Sequence, residues 1–123
     1  MISIVMPCYN CETSLARTVR CVQAQNVSDW ELIAVDDGST DGTGEALDGL
    51  AQNDARIRAI HQANGGVSRA RNIGMAAAGG EWLAFVDADD VLPPDALQTL
   101  LALDDGAADI PCGAYTIRHT AAG

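Results

Sequence analysis

A chain of 123 residues has the size of one compact domain and no room for a second independently folding unit. Its 48% apolar residues exclude an intrinsically disordered chain, since a domain of this size buries about two-thirds of the surface its unfolded form exposes. Seventeen acids against seven bases, a formal charge of −10, argue against a nucleic acid partner, because counterion release from a phosphate polymer needs clustered cations.

All seven bases are arginine, which excludes reactions needing a catalytic or Schiff-base lysine within this chain. No stretch approaches the roughly 20 apolar residues of a membrane span, and the apolar start Met1 to Cys8 lacks a cationic leader. A cytoplasmic location is expected, with peripheral placement at the inner membrane face as its variant. Cys8, Cys11, Cys21 and Cys112 are too few and scattered for a disulfide scaffold and should be free thiols in a reducing compartment.

In chain order, Ile2 to Met6 reads as a first strand. Glu12 to Gln25 follows as a helix with Leu15, Val19 and Val22 at helical spacing. Glu31 to Val35 is a second strand, unbroken in its apolar run and therefore covered on both faces. Thr43 to Gln52 is a helix with Ala46, Leu47 and Leu50 on one side, and Ile57 to His61 a third strand. Ser68 to Ala78 is a shorter helix whose inner stripe, Ala70, Ile73, Gly74 and Ala77, suggests close approach to a sheet; Gly79-Gly80 stops it. Trp82 to Val86, a helix over Pro94 to Leu103 and a strand over Ile110 to Cys112 complete the pattern, and Thr120 to Gly123 looks frayed. Strands alternating with helices predict an α/β fold: a three-layer α/β/α sandwich on a mainly parallel, Rossmann-like sheet. No internal repeat or low-complexity linker interrupts it.

In open α/β sheets ligands bind beyond the carboxyl ends of the strands, near the switch in strand order. The residues at those ends are Pro7-Cys8-Tyr9-Asn10-Cys11, Asp36-Asp37-Gly38-Ser39-Thr40-Asp41, Gln62-Ala63-Asn64-Gly65-Gly66 and Asp87-Ala88-Asp89-Asp90. At least six carboxylates therefore crowd one rim. Charges a few ångströms apart repel by on the order of 4 kcal/mol at a surface-like dielectric, and a shared divalent cation relieves this. Asp87 and Asp89 are two residues apart at a strand end, where alternation points both the same way and Asp90 elsewhere. Oxygen ligands of this kind favour Mg²⁺ or Mn²⁺. The competing reading is that Asp89 or Asp90 merely caps the helix starting at Pro93-Pro94.

Asp36-Asp37-Gly38-Ser39 also reads as an ordinary strand-to-helix turn. An acid at the tip of a second strand holds a ribose in dinucleotide folds, but no Gly-rich phosphate loop follows the first strand, which speaks against a nicotinamide or flavin cofactor. Tyr9 and Pro7 stand there instead, suited to a flat base stacked on a ring. Arg69 and Arg71 sit in the first turn of the third helix, where the macrodipole disfavours cations, so a bound anion would explain them. Being about 200° apart on the helical wheel, they should not both face one cleft. His61 is expected to be structural.

Four segments in this order resemble the inverting family 2 glycosyltransferases with their GT-A fold: Ile2 to Asn10, Val35 to Thr43, Asn64 to Gly74 and Gly80 to Asp90. The resemblance implies that Pro7, Tyr9 and an acid of the Asp36-Asp37 pair surround the nucleobase, that Arg71 and Asn72 border the nucleotide, and that Asp87 lies near ribose or metal. Asp89 would be the main ligand of a divalent metal, Mg or Mn, on the diphosphate. It further implies transfer of a sugar from a nucleoside diphosphate sugar, a UDP-type donor first, to a saccharide, lipid or protein hydroxyl with inversion, as in cell-wall or polysaccharide biosynthesis. The metal, as Lewis acid, would let a chain of charge −10 hold an anionic donor.

In that family the general base lies well downstream of the Asp-x-Asp segment, and this chain ends about thirty residues after it. Asp104, Asp105 and Asp109, the carboxylates beyond the last helix, read as solvated loop residues. No base is assigned, which removes a factor of roughly 10² to 10⁴ in rate. The chain is accordingly expected to be the donor-binding part of a longer enzyme, with an exposed apolar sheet edge or face near Ile110 to Tyr115. A non-catalytic nucleotide-sugar-binding module is the main rival. A response-regulator receiver would need an acidic pair where Tyr9 and Asn10 stand and a lysine the chain lacks. A thioredoxin-like reading of Cys8-Tyr9-Asn10-Cys11 leaves the acidic rim unexplained.

Overall fold

The computed structural model describes residues 1–103, 110–112 and 115–119, the last two segments as backbone. The elements are β1 (Ile2–Cys8), α1 (Glu12–Gln23), β2 (Trp30–Asp37), α2 (Thr43–Asn53), β3 (Ile57–Gln62), α3 (Val67–Ala77), β4 (Trp82–Phe85), α4 (Ala96–Leu103), β5 (Ile110–Cys112) and β6 (Tyr115–His119). They form one sheet in the order β3-β2-β1-β4-β6-β5. The first four strands are parallel, and β6 runs antiparallel to both β4 and β5. The sheet is mainly parallel, as the alternation of strands and helices predicts; β6 was not foreseen. β5 is the last strand on one side of the sheet among the described residues.

Side-chain alternation along the central strands sorts the interior into two layers. Ile2, Ile4, Met6 and Cys8 of β1 and Leu32 and Ala34 of β2 pack with Leu15, Val19 and Val22 of α1, Leu47 of α2 and Leu97 of α4. On the other face Ile33 and Val35 meet Ala70, with Ile60, Ile73 and Ala77 around them. Among the described residues α3 is the helix that covers this face, and its small residues let it come close. A Cβ on Gly74 would stand 2.4 Å from Cγ1 of Val5, a side chain with no exposure, so only glycine fits there.

Most element ends shift by one or two residues from the sequence expectation, and two of the shifts bear on packing and capping. Helix α1 stops at Gln23, and the buried Gln25 instead ties α1 to α4. Its amide nitrogen donates to the carbonyl oxygens of Cys21 (3.0 Å) and Pro93 (2.8 Å), and its oxygen accepts from the Leu97 amide at 3.0 Å. Helix α4 starts at Ala96 rather than Pro94, six residues beyond Asp90, so neither Asp89 nor Asp90 caps it. The Asp90 carboxylate turns back to accept from the Asp87 amide at 3.0 Å.

Candidate nucleotide and metal site

Strand order reverses direction at β1, which has β2 on one side and β4 on the other; this is the switch point at which α/β sheets place their ligands. Two adjoining hollows open there, of about 340 and 310 Å³. The first is lined by Pro7, Cys8, Tyr9, Asp37, Asn64, Gly66, Val67 and Asp87, and the second by Pro7, Tyr9, Asn10, Cys11, Thr13, Ser14, Asp87, Ala88 and Asp89. Pro7, Tyr9 and Asp87 are common to both and form the ridge between them. Tyr9 is 52% exposed and borders both hollows.

The loop carrying Tyr9 is held from below. Asn10 adopts φ 49°, a conformation that Asn tolerates better than most residues. Its side-chain oxygen accepts from the Thr40 amide at 2.8 Å, while its own amide donates to Ser39 Oγ at 3.1 Å. The Cys11 amide donates to Thr43 Oγ1 at 2.9 Å. The turn after β2 is thus the platform for the turn after β1.

Adjacent residues in a strand point to opposite faces, and this separates the two acids at the end of β2. Asp36 faces α2: it accepts from the Ser39 amide (3.0 Å) and lies 3.0 Å from His61 Nδ1, and His61 Nε2 is 2.7 Å from Asp48 Oδ1. Burial disfavours the Asp36 charge, but the bonds from Ser39 and His61 outweigh it and hold its carboxyl below the usual range. The same two carboxylates raise the pKa of His61, Asp48 most and then Asp36. His61 and Asp36 line neither hollow.

Asp37 faces α3 and lines the first hollow. Its carboxylate accepts from the amides of Gly65 (2.9 Å) and Gly66 (3.0 Å) and from Gln62 Nε2 (2.7 Å). These bonds, the Gly65 amide foremost, overcome burial and depress its pKa, with the charge of Arg69 adding to them. Gly38, at φ +70°, lets this happen, since a Cβ there would stand 2.6 Å from the Asn64 backbone nitrogen. The two arginines of α3 divide as their wheel angle predicts. Arg71 reaches toward the cleft, with Nη2 3.7 Å from Asp87 Oδ1 and a buried Nε that has no hydrogen-bond partner among the described residues, whereas Arg69 is exposed and lies along Gly65. Asn72 is exposed on α3 and lines neither hollow.

Beyond β4 the chain turns sharply, and Asp87, Asp89 and Asp90 bring one carboxylate oxygen each within 4.8 Å of one another. Sequence alternation directs Asp90 away from the other two; the turn, closed by the Asp90 amide donating to the Asp87 carbonyl oxygen at 3.1 Å, brings it back. Burial raises the Asp90 pKa against the effect of the Asp87 amide, and the charges of Asp87 and Asp89 add to the rise. A trio of carboxylates whose mutual repulsion is felt at Asp90 fits a hard divalent cation, which takes oxygen ligands and relieves that repulsion. The loop is gripped by α1. The Thr18 hydroxyl lies 2.8 Å from the Ala88 carbonyl oxygen and 2.9 Å from that of Asp90, and Ser14 Oγ donates to Ala88 at 3.0 Å. Neither hydroxyl was singled out from sequence; Ser and Thr four apart on the polar edge of α1 were the available signal.

The profile of the family described as glycosyl transferase family 2 matches residues 3–120. The chain belongs to glycosyl transferase family 2. Among its relatives in that family, the glycosyltransferase GlyG of Streptococcus pneumoniae is 38% identical over 117 residues, covering 94% of this chain and 39% of that protein. The uncharacterized glycosyltransferase EpsJ of Bacillus subtilis is 45% identical over 100 residues, covering 81% and 29% respectively. The chain therefore spans about a third of the length of these family 2 relatives. The fold is shared with the mannosyltransferase PcManGT of Pyrobaculum calidifontis in complex with GDP-Man and Mn²⁺ (TM-score 0.87, 19% identity, 96% of this chain and 44% of that one). It is shared also with S. aureus TarS 1–349 in complex with UDP (TM-score 0.81, 21% identity, 98% and 47%). This is the GT-A fold expected of family 2. Among the described residues no helix is long and apolar enough to cross a membrane. Asp104, Asp105 and Asp109 lie outside the described residues, as does the apolar character of the segment from Ile110 to Tyr115.

Proposed function

We propose that this chain is the donor-binding part of a longer, cytoplasmic glycosyltransferase, which passes a sugar from a nucleoside diphosphate sugar to an acceptor hydroxyl with inversion, assisted by a divalent metal. The observation that carries the reading is the ridge of Pro7, Tyr9 and Asp87 between two hollows, with the three-carboxylate cluster at one end. Tyr9 offers a stacking face to a base in the first hollow, and Asp37 and Asn64 border its polar edge. Arg71 steadies Asp87 and adds positive charge where a diphosphate would cross. Asp89, with Asp87 and Asp90 beside it, would hold Mg²⁺ or Mn²⁺. The metal supplies Lewis-acid neutralisation of a leaving diphosphate when bound. The related folds solved with UDP, UDP-GlcNAc and with GDP-Man and Mn²⁺ support a nucleotide-sugar donor, and we favour a UDP-type one.

Calorimetry with UDP and with GDP, each with and without Mn²⁺, tests this directly. We expect UDP to bind in the presence of Mn²⁺, and binding to be lost on adding EDTA and weakened by Asp89→Ala. Binding that survives both perturbations refutes the metal assignment. Release of nucleoside diphosphate from a bound sugar donor separates a transferase from a module that only binds.

A further inference from the structure

Cys8 and Cys11 are unused by the donor reading, since neither thiol is needed to hold a base, a diphosphate or a metal. Cys8 closes β1 and is buried, its thiol donating to the Met6 carbonyl oxygen at 3.4 Å. Cys11 is half-buried at the N-cap of α1, and it lines the second hollow beside Tyr9 and Asp89. Asn10 between them is in the left-handed region, Cys11 packs against the core cluster to which Cys8 belongs, and each thiol acts on the other's titration.

We propose that Cys8 and Cys11 form a thiol–disulfide switch in the donor cleft, in which Cys11 takes up a low-molecular-weight disulfide and Cys8 then closes a Cys8–Cys11 bond that deforms the Tyr9–Asn10 arc. The order of events follows from the surroundings of each sulfur. Cys11 stands at the N-terminus of a 12-residue helix, where the amide dipoles favour a thiolate. Its bond with Cys8 foremost, and that with Thr43, lower its pKa to about 7 against the opposing effect of burial. Cys8 is pushed up by its interaction with Cys11 and by burial, and Cys11 is the more exposed of the two sulfurs, so Cys11 is the one that meets a reagent first. In the first step the Cys11 thiolate attacks one sulfur of the reagent, R–S–S–R, giving Cys11–S–S–R and expelling RS⁻. With the negative charge on Cys11 gone, Cys8 gives its proton to the released RS⁻ and attacks the Cys11 sulfur. The second RS⁻ leaves and the internal disulfide forms, so two protein thiols are oxidised and one small disulfide is reduced to two thiols. Drawing the two sulfurs to about 2 Å moves the arc that carries Tyr9, and for its effect on ligand the proposal rests on the donor reading above.

The test uses the full chain treated with oxidised glutathione at pH 7, followed by intact-mass measurement and peptide mapping. The expected product has lost two hydrogens and carries a bond between Cys8 and Cys11. Cys8→Ser should stop at a glutathione adduct on Cys11, and Cys11→Ser should give neither product. Mapping on the unsubstituted chain locates the bond even if a variant folds poorly. Oxidation should weaken Mn²⁺-dependent UDP binding at least tenfold, and dithiothreitol should restore it. Adducts at Cys21 or Cys112 in place of Cys11, or failure to form the internal bond, overturn the proposal, as does an oxidised chain that binds UDP unchanged. A reduced chain that binds no nucleotide overturns the donor reading and with it the effect on ligand, while the mass readout decides the thiol chemistry by itself.

Discussion

Replacing Asp37 by Asn keeps the size of the side chain and removes its charge and one acceptor. In the native protein Oδ1 accepts from Gln62 Nε2 at 2.7 Å and from the Gly65 amide at 2.9 Å, and Oδ2 accepts from the Gly66 amide at 3.0 Å. The Asn nitrogen can be turned either toward Gly66 or toward the other two donors, so at least one donor faces another. Hydrogen bonds to charged groups are worth about 1.5–3 kcal/mol each. Asp37 is 5% exposed, but both glycines are exposed and water can reach their amides, so the low end applies. The expected loss is about 2 kcal/mol, read as a fall in the urea midpoint at unchanged slope. The pH dependence gives an independent check. Because the folded state depresses the Asp37 pKa, its stabilisation is complete above the unfolded value of about 3.9 and disappears as pH falls through the folded value. The gap between wild type and Asp37→Asn should therefore be full at pH 7 and narrow at pH 3. A variant within about 0.5 kcal/mol of wild type at pH 7, or a gap that ignores pH, would refute the argument that this carboxylate fastens the entry to α3.

Gly74→Ala gains up to about 1 kcal/mol of helix propensity but drives a methyl to 2.4 Å from the buried Val5. Overpacking of about 1–3 kcal/mol should win, and a higher urea midpoint would contradict the close approach of α3. Thr18→Val removes the hydroxyl shared between the Ala88 and Asp90 carbonyl oxygens; a loss of about 1.4 kcal/mol in loop order appears as roughly tenfold weaker Mn²⁺-dependent UDP binding, and unchanged affinity would mean that α1 does not set the loop. For His61 the folded pKa is raised, so its stabilisation is full below about 6.5 and is lost as pH rises through the folded value. Asp48→Asn should bring that midpoint down in an NMR titration, and an unmoved midpoint would assign the rise to Asp36 alone.

The alternating elements were legible in the sequence because each carries its own period. Leu15, Val19 and Val22 announce α1, and the run Leu32 to Val35 announces a strand covered on both sides. Strand β6 went unread although Tyr115 and Ile117 alternate with Thr116 and Arg118, because its pairing with β4 runs against the parallel rule that the rest of the chain obeys. At the site, the residue types were legible and their orientations were not. Nothing in Asp36-Asp37 says which acid turns to the cleft; parity within β2 decides it, and the strand's extent to Asp37 is a tertiary outcome. Strand alternation misdirected Asp90, since β4 ends at Phe85 and the following residues form a turn with its own geometry. The contacts of Ser14 and Thr18 with Ala88 and Asp90 join residues about seventy positions apart, beyond the reach of any local pattern.

Those same two hydroxyls sit one and two turns into the helix that Cys11 caps, two residues after Tyr9. The span between an aromatic platform and an acidic cluster is thereby measured out along a rigid rod rather than across a loose hinge. On the donor reading proposed above, a molecule that bridges the two would have to match a length set by the fold and not by a movable loop.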